Sequence, residues 1–272
     1  MIGFTGNHVS FSQLTQIEQC PYSYYLVRVA GIAPKENAFA QAGSFVHTLL
    51  ARWAKGEISI QDLPGLWSDG YGQAVTELFP AYLETKGYRQ KLHDSILAYF
   101  REFTGFPGYE IVSAEQAFTS GLSGEPFTGV IDLILRSEDT GEFILVDHKS
   151  SSLTALKHSR QKMYRQLLLY SKYLADHFGV FPVRLCFNLF KEHAWDEQPY
   201  DPQDYVEAVQ WAERNIQEIK SKELPEWLEL RPEQFYCTQL CAAREACPYG
   251  NPQNHKKEGM RNRNRQPESI AA

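Results

Sequence analysis

The sequence predicts an α/β protein with a mixed central sheet flanked by helices, and three observations predict it. Helical periodicity runs to about residue 103 of the 272, the period shortens to that of strands near residue 109, and a helix plus one more apolar strand follow. Residues 12 to 28 read as one helix, or two short ones broken by Pro21, and AFAQAGSFVHTLLARWAKG reads as another, ended by Gly56. Leu63-Pro64-Gly65 interrupts the pattern. Amphipathic stretches near 69–86 and 88–103 come next, before Gly105, Pro107 and Gly108 punctuate the chain. Short runs rich in Val, Ile, Leu and Phe then occupy 109–119, 127–136 and 142–149, separated by the turn clusters SGLSGEP and SEDTGE. That arrangement suits three consecutive antiparallel strands. A helix over about 158–178, a fourth strand in VRLCFNLF and a last helix over roughly 203–222 complete the predicted elements.

The expected organisation is a single domain over 1–250. It has a helical N-terminal part with an insertion at about 56–108, an α/β core at about 109–191 and a C-terminal helix with a cysteine-bearing segment at about 200–250. Residues 251–272 read as a basic flexible tail.

Composition narrows the classes. With 27 Lys+Arg against 33 Asp+Glu and 43% apolar residues, the chain is globular rather than disordered. No run approaches the ~18–20 apolar residues of a membrane helix. The N-terminal MIGFTGNHVS also lacks a basic region followed by an apolar one, so the expectation is a cytoplasmic protein with no membrane partner. A pI of about 5.8 is far from the basic balance that phosphate binding favours. Its distribution qualifies this: residues 251–272 carry a net +3, which leaves −9 on the first 250. An acidic body still binds an anion when its carboxylates hold a divalent cation, whose charge inverts the local field.

Five cysteines, at 20, 186, 237, 241 and 247, are an odd number that argues against a disulfide framework. Cys186, in VRLCFNLF, reads as a small core hydrophobe. Cys237, Cys241 and Cys247 form C-x3-C-x5-C in FYCTQLCAAREACPYG, and Cys20 stands alone in QIEQCPYSYY. Four such thiols suit tetrahedral Zn2+ as well as an iron-sulfur cluster, and the spacing by itself does not choose.

The chemistry concentrates in the predicted sheet. Asp132 interrupts the apolar run FTGVIDLIL, and Asp147 and Lys149 end FILVDHKSS. Residues i and i+2 of a strand share a face, so Asp147 and Lys149 project together, His148 points away, and Asp132 can face the pair from the next strand. Ionisable groups ending apolar strands are expensive to bury unless they hold something; hard oxygen ligands beside a cation suit Mg2+ or Mn2+ with a phosphate. D-x-K alone arises easily by chance and reads equally as edge charges. Other residues change the balance. Gln166 and Tyr170 share a helix face, Gly43 and His47 have the same spacing upstream, and Glu115 adds a carboxylate on the first strand. Singly, these are a surface amide, a packed phenol, a satisfied imidazole and a solvent-facing acid; the ordered set is not an accident.

That ordered set is G-x-x-x-H (Gly43 to His47), Glu115, G-x-x-D (Gly129 to Asp132), D-x-K (Asp147 to Lys149) and Q-x-x-x-Y (Gln166 to Tyr170). It resembles the RecB-like branch of the PD-(D/E)XK nucleases. One cysteine before the core and three after it resemble the iron-sulfur members of that branch, the CRISPR-associated exonucleases and AddB-type nuclease domains. The resemblance spans about residues 12 to 250. It implies a restriction-endonuclease-like core with a helical insertion and an iron-sulfur clasp joining the N- and C-terminal regions. His47, Asp132, Asp147 and the backbone carbonyl of His148 would be ligands for Mg2+ or Mn2+. Lys149 would orient and activate the attacking water, Gln166 and Tyr170 would support the pocket and the nucleic-acid strand, and Glu115 would add to the metal shell. Cys20, Cys237, Cys241 and Cys247 would hold a [4Fe-4S] cluster, with Zn2+ as the alternative occupant.

The implied activity is metal-dependent hydrolysis of DNA phosphodiester bonds. It would be exonucleolytic and prefer single strands or free ends, in recombination, repair, or phage or CRISPR DNA processing. No Walker-type motif occurs, so a helicase or recombination partner would be a separate chain. The other class is a catalytically silent nucleic-acid scaffold or helicase partner with the same fold, against which the intact Asp132, Asp147 and Lys149 argue. Two features depart from the pattern: C-x3-C stands where C-x2-C is more common, and the 56–108 insertion is longer than in the compact CRISPR-associated forms.

Overall fold

The structure, a computed structural model, describes residues 7–221 and 233–251. In chain order the elements are β1 (Val9–Ser10), α1 (Phe11–Gln19), α2 (Pro21–Tyr24), α3 (Ala38–Ala54), α4 (Leu63–Ala74), α5 (Ala81–Glu84) and α6 (Tyr88–Glu102). Then come β2 (Tyr109–Leu122), β3 (Glu125–Ser137), β4 (Phe143–His148), α7 (Leu153–Phe178), β5 (Arg184–Leu189), β6 (Ala194–Pro199) and α8 (Pro202–Ser221). Two compact units divide them. The larger comprises Asn7–Phe11 and Ala38–Gln217; the smaller comprises Ser12–Asn37 and the described residues from Glu218 on.

The larger unit is built on one mixed sheet in the order β1-β3-β4-β5-β6, with β2 also paired to β3. Ser123 and Gly124, with φ of 49° and 81°, turn β2 into β3. Two consecutive left-handed residues make the two-residue hairpin turn whose twist matches that of its strands. The segment expected to be a loop is thus the tip of a long hairpin, with Leu122 opposite Glu125. β3 and β4 pair antiparallel from Leu133↔Val146 to Arg136↔Phe143. β4 and β5 run parallel, so α7 is their crossover. β6 closes the edge antiparallel to β5; its sequence AWDEQP carries no apolar run, and the sequence reading left it out of the sheet.

Helices α3, α4 and α6 form the second layer. Ala38, Ala42, Val46, Leu49 and Leu50 make the buried stripe of α3 at helical spacing, packed with Trp67, Ile96 and Phe100. The insertion thereby braces the helix that carries His47. Here α4 corrects the expected 69–86 stretch: it starts at Leu63 and ends at Ala74. Pro64 falls in its first turn, where a missing N–H costs nothing, rather than breaking a helix. Similarly, α7 begins at Leu153, capped by the Ser152 hydroxyl accepting from the Ala155 N–H at 3.1 Å, and bends at Ser159.

In the smaller unit, hydrogen bonds tie the N-terminal segment to the cysteine-bearing one. Arg244 donates to the carbonyls of Lys35 at 2.8 Å and Glu36 at 2.6 Å, and the Lys35 N–H donates to the Ala242 carbonyl at 2.9 Å. Leu26, Cys241 and Ala243 form its small apolar centre. Of the expected basic tail, all but Asn251 lies outside the described residues.

Candidate active site

β4 ends where β3 continues, and the open ground between them collects the ionisable residues. Asp132 lies one residue beyond the last β3–β4 pair, so its carboxylate, not a strand backbone, meets the end of β4: Oδ2 accepts the His148 N–H at 2.8 Å. The same oxygen is 3.3 Å from Nδ1 of His47 on α3. From β2, Glu115 stands opposite Asp132, since Ala114 pairs with Leu133 and Gln116 with Ile131. Its φ of 51° is left-handed, a strained conformation for a glutamate costing of order 1–3 kcal/mol and of the kind that functional sites retain. His47, Glu115 and Asp132 each offer a ligand atom within 4.8 Å of the others.

Asp147 and Lys149 flank this set. Lys149 Nζ is 2.7 Å from Asp147 Oδ2 and donates to Gln166 Oε1 at 2.9 Å. The buried Asp147 oxygen has this ammonium as its partner. Asp147 and His148 are 3% and 4% exposed. His148 faces away from Lys149, with its ring Nδ1 3.0 Å from the Asn188 side-chain nitrogen. His47, Glu115 and Asp132 thus come together, and Asp147, Lys149 and Gln166 form a linked set beside them. Gly43 has only Ser150 Oγ near, at 3.9 Å from where a Cβ would lie, so the position does not require glycine.

Electrostatics separates the two aspartates. Burial raises the Asp147 carboxyl and Asp132 raises it further, outweighing Lys149, so it lies above the ordinary carboxylate range. Burial also acts on Asp132, but the His47 bond and the charges of His47, His148 and Lys149 outweigh it and hold the carboxyl below that range. Burial lowers His47, and Asp132 more than compensates, leaving it raised. Glu115 is raised by burial and by Asp132, and burial pushes the His148 imidazole down to about 4. An imidazole and two carboxylates converging on one point suit a hard divalent cation.

The sequence matches the family model of the PD-(D/E)XK nuclease superfamily over residues 8–248. The chain belongs to that superfamily. No curated protein matches it in sequence. The crystal structure of SSO0001 aligns with 89% of this chain and 86% of its own, at 15% identity and a TM-score of 0.35.

The G-x-x-D glycine of this nuclease-family chain has a steric reason. A Cβ on Gly129 would lie 2.8 Å from the ring carbons of both Tyr170 and Phe118. Glycine there lets the Tyr170 ring lie against β3, beside Gln166 and the Val130 backbone. Gly129→Ala is expected to push Tyr170 outward, costing about 1–3 kcal/mol and slowing turnover about tenfold. Melting and single-turnover cleavage of the variant check both.

A carboxyl held above its ordinary range destabilises the fold wherever it is ionised. The penalty is absent below the unfolded carboxylate range and fully present above the raised folded value. Asp147→Asn is therefore expected to raise the Tm of the metal-free protein at pH 8 by about 2–4 °C, the shift that ~1 kcal/mol produces at this size. The gain should shrink as the pH falls toward the ordinary carboxylate range. Thermal melting in EDTA across pH reads it.

The expected cluster residues all fall in the smaller unit. All five cysteines are free thiols. Burial raises the Cys237 thiol, and Cys241, Cys20 and Cys247 add to the rise; Cys247 is raised likewise by burial, then by Cys241 and Cys20. The Ser23 hydroxyl lies 3.5 Å from Cys241 Sγ. Cys186 sits apart in β5, fully buried, as the core hydrophobe its sequence suggested. Asn188, which touches His148, was missed; its signal is a lone amide in the apolar run LCFNLF. No helix among the described residues is long and apolar enough to cross a membrane.

Proposed function

We propose that the protein is a divalent-metal-dependent DNA nuclease of the RecB-like branch, acting as an exonuclease on single strands with a free end. The observation that carries this reading is the convergence of His47, Glu115 and Asp132 within 4.8 Å beside the Asp147–Lys149 ion pair. Held by those three residues with Asp147 and the His148 carbonyl, Mg2+ or Mn2+ would offset phosphate charge and make water more acidic. Lys149, fixed by Asp147 and Gln166, can orient the attacking water and offset charge developing on the phosphate oxygens. Tyr170 and Gln166 border the same space and meet the strand. The four cysteines of the smaller unit are assigned to a [4Fe-4S] cluster rather than Zn2+. The resemblance of one cysteine before the core and three after it to the iron-sulfur nucleases supports this reading. DNA recombination, repair or phage and CRISPR processing would use such an enzyme, alone or with a helicase.

Linear and circular single-stranded DNA test the exonuclease assignment. Digestion of the linear form alone supports it, and equal digestion of both contradicts it. Iron and sulfide content with absorbance near ~400 nm in anaerobically purified protein tests the cluster, and a colourless, zinc-loaded protein overturns it.

A further inference from the structure

Behind the site, three buried polar groups are bonded to one another and to the strand end that carries Asp147 and Lys149. Asn188 of β5 is 5% exposed. Its side-chain nitrogen donates to Tyr99 Oη of α6 at 2.6 Å and lies 3.0 Å from His148 Nδ1. One amide hydrogen goes to each, so His148 Nδ1 accepts and its ring proton sits on Nε2. The Asn188 backbone carbonyl, meanwhile, accepts the Lys149 N–H at 2.9 Å. That N–H and the His148 carbonyl belong to one trans peptide and point in opposite directions. With the N–H committed to β5, the His148 carbonyl is turned to the β3 side, where Asp132 accepts the His148 N–H. Asn188 therefore holds this strand end at two points, its backbone carbonyl at the Lys149 N–H and its side chain at the His148 ring. A buried amide in an otherwise apolar strand is costly unless fully bonded, and this bonding ends on the site.

We propose that Asn188, and Tyr99 through it, are positioning residues that aim the His148 carbonyl into the metal-facing group; this rests on the nuclease reading above. The helical insertion then reaches the chemistry through Tyr99 as well as by packing on α3.

Mn2+ titration without DNA, read from the free-ion electron paramagnetic resonance signal, tests this. Asn188→Ala is expected to raise the Mn2+ midpoint about 10–100-fold, as loss of a partner that orients a ligand does. Tyr99→Phe is expected to raise it less, because the Tyr99 hydroxyl bonds to Asn188 and reaches His148 only through it. Cleavage by Tyr99→Phe should approach the wild-type rate at saturating Mn2+, whereas a fold defect would depress the rate at every concentration. If Asn188→Ala does not fold, Tyr99→Phe decides. A wild type that binds Mn2+ and cuts DNA, beside a Tyr99→Phe protein with an unshifted midpoint, overturns this inference alone. A wild type that neither binds Mn2+ nor cuts overturns the nuclease reading and this inference with it.

Discussion

Lys149→Ala is expected to lower DNA cleavage by at least about 10²–10³-fold while leaving DNA binding within about twofold. The expectation follows from placement. The ammonium is held by Asp147 at 2.7 Å and by Gln166 at 2.9 Å, so it enters the site as a fixed charge. Truncation removes this charge and leaves the side chains of His47, Glu115 and Asp132 in place. Stability is the confounding variable. Losing Lys149 strands the buried Asp147 carboxylate without its counter-charge, which can cost about 3–5 kcal/mol, whereas Asp147→Asn leaves the partly exposed Lys149 its Gln166 bond. The double variant Asp147→Asn/Lys149→Ala separates the two effects, since it should recover the Tm and stay inactive. Mobility-shift binding, melting and end-label cleavage of both proteins measure all three quantities. A Lys149→Ala protein that cuts at the wild-type rate would sink the catalytic assignment.

Cys20→Ser is expected to do a different kind of damage. Cys20 and Cys237 are 217 positions apart, so a cluster joining them closes most of the chain into a loop. Loop-closure scaling gives such a link a worth of ~5 kcal/mol, comparable to the stability of a whole domain. The Arg244 bonds to Lys35 and Glu36 hold the same two segments but are partly exposed and short-range. They do not replace the link. The variant should therefore be colourless and melt well below the wild type or fail to stay soluble. A Cys20→Ser protein with wild-type absorbance and Tm would show that no four-thiol cluster forms.

What was legible in the sequence followed from local rules. Strands β2 to β4 and the crossover helix announced themselves by a change of period, and Asp132, Asp147 and Lys149 by charge inside apolar runs. Less legible features depend on partners distant in the chain. The start of α4 was hidden because Pro64 and Gly65 read as a break, although a first-turn proline is well tolerated. β6 was hidden because an edge strand facing water on one side needs no apolar run. Glu115 was placed on its strand, but nothing local signals the left-handed backbone that turns it toward Asp132. Asn188 acquires meaning only once β5 lies beside β4, with Tyr99 arriving from a helix 89 positions away.

Metal-dependent cleavage tests the central claim most directly. Anaerobically purified protein is incubated with end-labelled single-stranded and duplex DNA in Mg2+, in Mn2+ and in EDTA, with Lys149→Ala alongside. The account predicts products with either metal, none in EDTA and none from the variant, with a ladder from one labelled end that gives the polarity. Intact DNA under every metal, from a protein that still binds it, would contradict the account and leave a nucleic-acid-binding scaffold built on a nuclease fold.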